Sequence, residues 1–303
     1  MTLGILVVGW LGVAILVSPR VSGPLWGLRP RAQVAALLLA ISGLAALPAA
    51  AAIYVLAEAL AASGSGDLLG RCGRLLEGVL AHPWARPQLS AALVLLPLEL
   101  AALAVGAASA WRSQSASRSL IRGRRGNRLV VPSRESFAFT AGYLRPRVVM
   151  SEGLLVSFPQ AWRQVILAHE EAHRRGRHPL LILFAESLAR GIPLPPMRWG
   201  AGALRLALEA IADDHASDKS GDRELVAEAV AGVALASMGS PGFEGNEVRR
   251  VRRLLAPCQA PPRSVTVFVV SPLVALVLFA GGHGLHCGEA SIEALRVRQC
   301  QLR

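Results

Sequence analysis

Apolar positions gather into long unbroken runs in the first third of the chain and near its end, and become periodic in between. Residues 2–18 are uncharged and just long enough to span a bilayer, with Arg20, Arg29 and Arg31 following them. A second run, 33–62, exceeds what a bilayer needs, so it is expected to tilt or to continue as a helix beyond the membrane, with Pro48 as a kink site. The polar stretch after it carries LLGRCGRLLEGVL, an amphipathic pattern suited to a membrane surface. A third run, 90–111, is closed by the densest positive cluster in the chain: Arg112, Arg118, Arg122, Arg124, Arg125 and Arg128. The last run, 265–282, follows Arg249, Arg250, Arg252, Arg253 and Arg263, and only residues 283–303 lie beyond it.

Between the third and fourth runs, residues 112–264 are polar enough to fold in water, and about 150 residues suffice for one compact domain. SFAFTAGYLRPRVVMSEGLL (136–155) predicts a short hairpin and then a helix beginning at Ser151. A helix is predicted from Pro159 through QAWRQVILAHEEAHRRGRH, with Pro179 stopping it. The following LLILFAESL is too short to span and is expected to pack the domain against the membrane or its own core.

Composition agrees with the runs, since 53% of the 303 residues are hydrophobic and 17% are charged, the balance of a membrane protein. The net charge of +12 comes from arginine, with Lys219 the only lysine, and with abundant Ala, Leu and Gly it suggests a bacterial source. An arginine excess beside long apolar runs marks cytoplasmic loops rather than direct nucleic-acid binding. The positive-inside rule puts the N-terminus outside, 112–264 inside and the tail outside. The expected architecture is thus an α-helical membrane protein with four transmembrane helices and an inserted cytoplasmic zincin-like α+β domain: three spans in 1–111, the domain in 112–264, the fourth span at 265–282 and an external tail.

Several features take plain structural readings. Trp26, Trp84 and Trp111 near span ends are read as interfacial anchors, and Glu58 and Glu99 as structural or interfacial carboxylates. The four cysteines form no C-x-x-C pair, which leaves any zinc to histidine and carboxylate. Cys287 and Cys300 share the external tail, either paired or as free thiols.

The chemistry gathers at HEEAH, residues 169–173. Histidines four apart lie one helical turn apart on one face, so His169 and His173 can both point at one metal ion while Glu170 faces the attacking water. A catalytic zinc keeps three protein ligands and one open position, so a third ligand must come from another element. LRLALEAIADDHASD (204–218) supplies Glu209, with Asp213 one turn on, placed to accept a hydrogen bond from the distal nitrogen of a ligand histidine. Asp214 and His215 fit a ligand face less well.

VILAHEEAH, PRVVMSEGLL and EAIADDHA resemble the membrane gluzincin peptidases, and their order with four spans is most similar to the BlaR/MecR antirepressor family. That resemblance implies zinc held by His169, His173 and Glu209, with Glu170 as the catalytic glutamate and Asp213 as the trailing aspartate. The better-known members carry a penicillin-binding sensor after the last span. Here only about twenty residues follow it and no S-x-x-K exists, so β-lactam sensing by acylation is not expected. The family often has an acidic residue where this chain has His178, to which no role is assigned.

The resulting expectation is a zinc metalloendopeptidase of the bacterial cell membrane, cleaving a protein at the cytoplasmic face. By resemblance the substrate is a BlaI-type repressor in a signalling pathway. The rival enzyme reading is a quality-control or maturation protease resembling HtpX or the CAAX prenyl protease. A rival from another class is a non-catalytic receptor with structural zinc, against which Glu170 argues, because a structural site needs no general base. The sequence names neither the substrate nor the oligomeric state.

Overall fold

In the computed structural model, residues 29–62, 68–81, 87–113, 119, 121–123, 125–236 and 246–256 are described. The runs at 2–18 and 265–282, the tail, Cys258, Cys287, Cys300, Trp26, Trp84 and the Glu58 side chain lie outside that description.

Unbroken Ala/Leu-rich stretches favour helix because their side chains lose little rotamer freedom there. The second apolar run is one helix, α1 (Pro30–Ala62), with Pro48 inside it. Its 33 residues amount to roughly 50 Å at about 1.5 Å per residue. The amphipathic stretch is helix α2 (Leu68–Ala81), and the third run is α3 (Pro87–Ser113). Within α3, Leu89–Ser113 has a mean hydropathy of 2.1 and is, among the described residues, the one helix long and apolar enough to cross a membrane. The apolar part of α1, Pro30–Ala46, is shorter.

The polar region opens with three strands, β1 (Arg128–Val131), β2 (Ala138–Ala141) and β3 (Arg147–Ser151), in the order β1-β3-β2. The predicted hairpin is present as β2 antiparallel to β3, with Thr140 opposite Val148. Gly142 in the connection has φ 92°, a conformation open to glycine at no steric cost. Strand β1 adds parallel to β3 on the other side. Its Leu129 and Val131 are buried while Arg128 and Val130 are exposed, the period-2 pattern of a half-buried strand.

The expected helix start at Ser151 is present as well. Its Oγ accepts from Leu154 N at 3.1 Å, capping α4 (Glu152–Ser157), and also from Phe137 N at 3.0 Å, tying the cap to the hairpin. The next helix, α5 (Gln160–Arg175), ends earlier than the sequence suggested. Gly176 caps it, Arg177 turns the chain at φ 49°, and α6 (His178–Gly191) starts with Pro179 in its first turn. Pro179 therefore opens a helix instead of closing one: a missing N–H costs nothing in the first turn, where that donor has no intrahelical partner anyway.

Helices α7 (Pro195–Ser220), α8 (Arg223–Ala236) and α9 (Glu247–Leu255) complete the described chain. The largest core joins the region expected in the membrane to the polar region. Val34, Leu37, Ile41 and Leu44 of α1 pack with Ala185 of α6 and Met197, Leu204 and Leu208 of α7. Along α3 and α6 the backbones meet directly, since a Cβ on Gly106 would collide with the backbone of Ser187 and Gly191. At the end of α3 the Trp111 ring lies 5.1 Å from Tyr143, and Arg190 Nη1 donates to Ser113 Oγ at 3.0 Å. LLILFAESL, now within α6, is thus packed against α1 and α3. The sheet and α5–α7 are joined to α1 and α3 by this packing.

Candidate metal centre

Three elements bring the site together. Helix α5 presents His169, Glu170 and His173; α7 crosses it and presents Glu209 and Asp213; β2 runs alongside and supplies Thr140. Helix α7 can run 26 residues because Pro195 and Pro196 occupy its first turn and Gly221, at φ 70°, ends it.

The side-chain nitrogens that the spacing placed on one face do converge. His169 Nε2 and His173 Nε2 are 3.1 Å apart, and Glu209 faces both, with oxygens 3.2 Å from His169 Nε2 and 3.5 Å from His173 Nε2. Ligands about 2.0–2.1 Å from a tetrahedral zinc stand roughly 3.3 Å from one another, so these separations suit a single ion. Two imidazoles and a carboxylate also form a donor set that zinc takes, with room for a fourth ligand.

The outer nitrogens of both histidines are occupied. His169 Nδ1 lies 3.0 Å from Asp213 Oδ1, where the sequence had placed the supporting aspartate. His173 Nδ1 lies 2.9 Å from His178 Nδ1. His178, left without a role above, therefore stands behind the second histidine in the position of a ring-orienting partner. It is buried, and burial followed by the neighbouring His173 pushes its pKa down to about 4. A neutral His178 ring accepts the hydrogen bond from His173 Nδ1–H and leaves His173 Nε2 with a lone pair for a metal. Gly176 makes room for it, because a Cβ there would collide with the His178 ring.

Arg250 was read as one of a run of charges that set topology. The structure corrects this: Arg250 lies inside the domain, with Nη2 and Nε bonded to Asp213 Oδ1 and Oδ2 at 2.6 and 3.0 Å. Its Nη1 sits 3.1 Å from Glu209 Oε2. Arg253, from the same run, pairs with Asp214 at 2.6 Å, while Arg249 and Arg252 remain exposed. Helix α9, which carries all four, is docked by Val251 and Leu254 against α8 and capped by Arg223, whose Nε and Nη2 donate to the carbonyls of Leu254 and Arg253. The legible signal was the spacing of Glu247, Arg250, Val251 and Leu254, one face of a helix. Dense arginine concealed it.

Electrostatics follow from this packing. Burial alone would raise the Asp213 pKa, but hydrogen bonds from His169 and Arg250 overcome it and hold the carboxyl at about 2. Burial would likewise raise Glu209, yet its contacts with His169 and His173 and the Arg250 charge keep it well below the usual carboxylate range. Burial works to lower His169, and hydrogen bonds to Asp213 and Glu209 outweigh it, holding the ring at about 9.

Glu170 is buried beside the histidines, and its Oε2 lies 2.7 Å from Thr140 Oγ1. Thr140 also reaches the Glu170 carbonyl at 2.9 Å, so the strand fixes both ends of this residue. Sequence reasoning missed Thr140, which sits within the predicted hairpin and becomes distinctive only when α5 lies against it. Thr140, His169, Glu170, His173, Glu209 and Arg250 line one cleft of about 730 Å³, walled by Phe137 and Phe139 on one side and by Val226, Val230 and Val233 on the other.

Residues 113–234 match the sequence model of Peptidase family M48. No curated protein and no solved structure matches the chain. The matched stretch runs from before β1 into α8, with His169, Glu170, His173, Glu209, Asp213 and Thr140, and it stops before α9 and Arg250. The stretch that builds this cleft is thus similar to that family of zinc metallopeptidases, and the chain that carries it is a metallopeptidase, a hydrolase of peptide bonds.

Proposed function

We propose that this protein is a membrane-anchored zinc endopeptidase that cuts a protein substrate at the cytoplasmic face, with His169, His173 and Glu209 as metal ligands and Glu170 as the proton carrier. The observation that carries the reading is the convergence of the three donors on one point beside a buried, strand-held carboxylate. Zinc bound there supplies a Lewis acid and lowers the pKa of water. Glu170 takes the proton of the attacking water and delivers it to the leaving amine. Thr140 holds the carboxylate in one orientation through its hydroxyl. Asp213 and His178 fix the two imidazole rings, and the apolar walls exclude water from the reacting bond.

Membrane anchoring rests on α3. Val94, Leu95, Leu98, Leu100 and Val105 are between 57% and 64% exposed, an apolar surface that is costly in water and at home in lipid. Orientation rests on the end of α3: Trp111 and Ser113 touch Tyr143 and Arg190 of the catalytic region, and the Arg112–Arg128 cluster follows directly. Positive residues at that end favour the cytoplasm.

The M48 match supports a metallopeptidase and does not single out the BlaR/MecR antirepressors, so a quality-control or maturation protease is the rival reading. A BlaI-type repressor remains a substrate to test, on the motif resemblance alone.

The deciding experiment is Glu170→Gln. Metal content should stay near one zinc per chain while proteolysis falls by at least a hundredfold, the lower range for general acid–base catalysis. N-terminal proteomics of wild-type and variant cells reads the substrates. Unchanged processing in the variant would remove the peptidase mechanism and leave a metal-binding receptor.

A further inference from the structure

Among the described residues, every carboxylate that lines the cleft has a hydrogen-bonded or ion-paired partner except one. Glu170 is held by Thr140, Glu186 by Arg205 and Arg190, and Glu209 by the two histidines and Arg250. Glu247, the first residue of α9, also lines the cleft, yet its Oε2 is buried without a hydrogen-bond partner. A buried carboxylate oxygen with no donor is costly, and such groups in native proteins call for a specific explanation.

The nearby cations do not supply the missing donor. Arg250 is one helical turn away and close enough for its charge to be felt by Glu247. All three of its terminal nitrogen positions are directed elsewhere, Nε and Nη2 to Asp213 and Nη1 to Glu209. Arg205 is turned to Glu186. What remains is a carboxylate on the cleft wall, one helical turn before the residue that touches Glu209, with one oxygen that no described residue satisfies.

We propose that Glu247 is a specificity residue that receives a cationic group of the substrate, the side chain of a lysine or arginine one or two positions from the cut bond. Successive residues of an extended peptide advance by about 3.3 Å and a lysine or arginine side chain is long and flexible, so the positions flanking the cut bond are the ones whose charge Glu247 would read. A free α-amino group has the same chemistry. The inference rests on the peptidase reading and names the charge class of its substrates.

The test uses the full-length, zinc-loaded protein in detergent or nanodiscs with matched peptides. One set is N-acetylated and carries Lys, Gln or Glu at each position around a fixed core; a second set has the same sequences with a free N-terminus. The wild type should prefer one basic position, and Glu247→Gln should lower the Lys-to-Gln ratio of kcat/KM by about ten- to a hundredfold, the range of a charge-assisted hydrogen bond. Glu247→Lys should move the preference toward Glu at that position. Preference for the free N-terminus that is lost in both variants supports cation recognition and corrects the endopeptidase reading. An unchanged Lys-to-Gln ratio in both folded, zinc-containing variants overturns the proposal.

Binding of the same peptides to zinc-loaded Glu170→Gln protein, with and without Glu247→Gln, separates the two readings. Charge-selective binding with no cleavage by the wild type would sink the peptidase reading and keep the Glu247 assignment. Cleavage with charge-blind binding would do the reverse.

Discussion

Arg250 holds Asp213 with a two-point fork, Nη2 to Oδ1 at 2.6 Å and Nε to Oδ2 at 3.0 Å, and the aspartate so held faces His169 Nδ1 from 3.0 Å. Asp213 is fully buried. Arg250→Ala therefore strands a buried carboxylate, and the expected loss is about 3–5 kcal/mol of stability. Arg250→Lys keeps the charge but loses the planar fork, and should recover only part of it. Chemical denaturation of the three proteins measures this, and an Arg250→Ala variant as stable as the wild type would show that α9 is not docked on Asp213.

His178 and Gly176 form a second such relation behind His173. Removing the ring in His178→Ala, or displacing it in Gly176→Ala, should weaken zinc binding by about ten- to a hundredfold, the usual effect of losing a partner that orients a ligand histidine. Competition against a chelator of known affinity gives the number. Equal affinity in all three proteins would leave His178 a packing residue only.

Glu171 sits beside the ligands but points away from them, bonded to Arg174 at 2.6 and 2.8 Å and to Arg175 at 2.8 Å. The Arg174 hydrogen bonds, against the opposing effect of burial and with help from Arg175, lower its pKa from 4.5 to about 2. A depressed carboxyl contributes stability that is present above its unfolded pKa and is lost as pH falls through the folded one. Metal-free protein should thus lose about 1–2 kcal/mol from this group between roughly pH 4.5 and pH 2, after discounting for solvent screening at the exposed Arg175. In Glu171→Gln that part of the acid dependence should be missing; identical acid unfolding of variant and wild type would refute it.

Two glycines of the apolar helices make a matched pair. A Cβ on Gly43 in α1 meets nothing within 4 Å, whereas one on Gly106 in α3 meets the backbone of α6. Gly43→Ala should stabilise the protein by up to about 1 kcal/mol through helix propensity. Gly106→Ala should destabilise it by about 1–3 kcal/mol or more, since backbone cannot yield as a side chain does. Melting of both in one detergent decides this, and a Gly106→Ala protein no less stable than Gly43→Ala would mean α3 is not docked on α6.

The inner residues of the site were readable in one dimension. An i, i+4 pair of histidines with a glutamate between them, and a glutamate one turn before an aspartate, have their mutual orientation fixed by helical periodicity, so residue type and spacing sufficed for His169, Glu170, His173, Glu209 and Asp213. Hairpin β2–β3 and the Ser151 cap were legible for the same reason, being local in sequence. Pro179 was misread because proline both ends and begins helices, and Gly176, which ends the first helix, was read as lying inside it.

Sequence alone determined which His and Glu side chains share a helix face at metal-ligand spacing and which runs are long and apolar, because both follow from helical repeat and apolar length. Tertiary structure decided the rest: that α9 returns from 37 residues away to place Arg250 on Asp213, with Glu247 in the cleft wall, that Thr140 meets Glu170, and that His178 backs His173. Except for His178, these contacts join residues distant in the chain, and an arginine paired with a buried aspartate is spelled no differently from one left at a membrane surface. Only the packing that removes water from the pair distinguishes them.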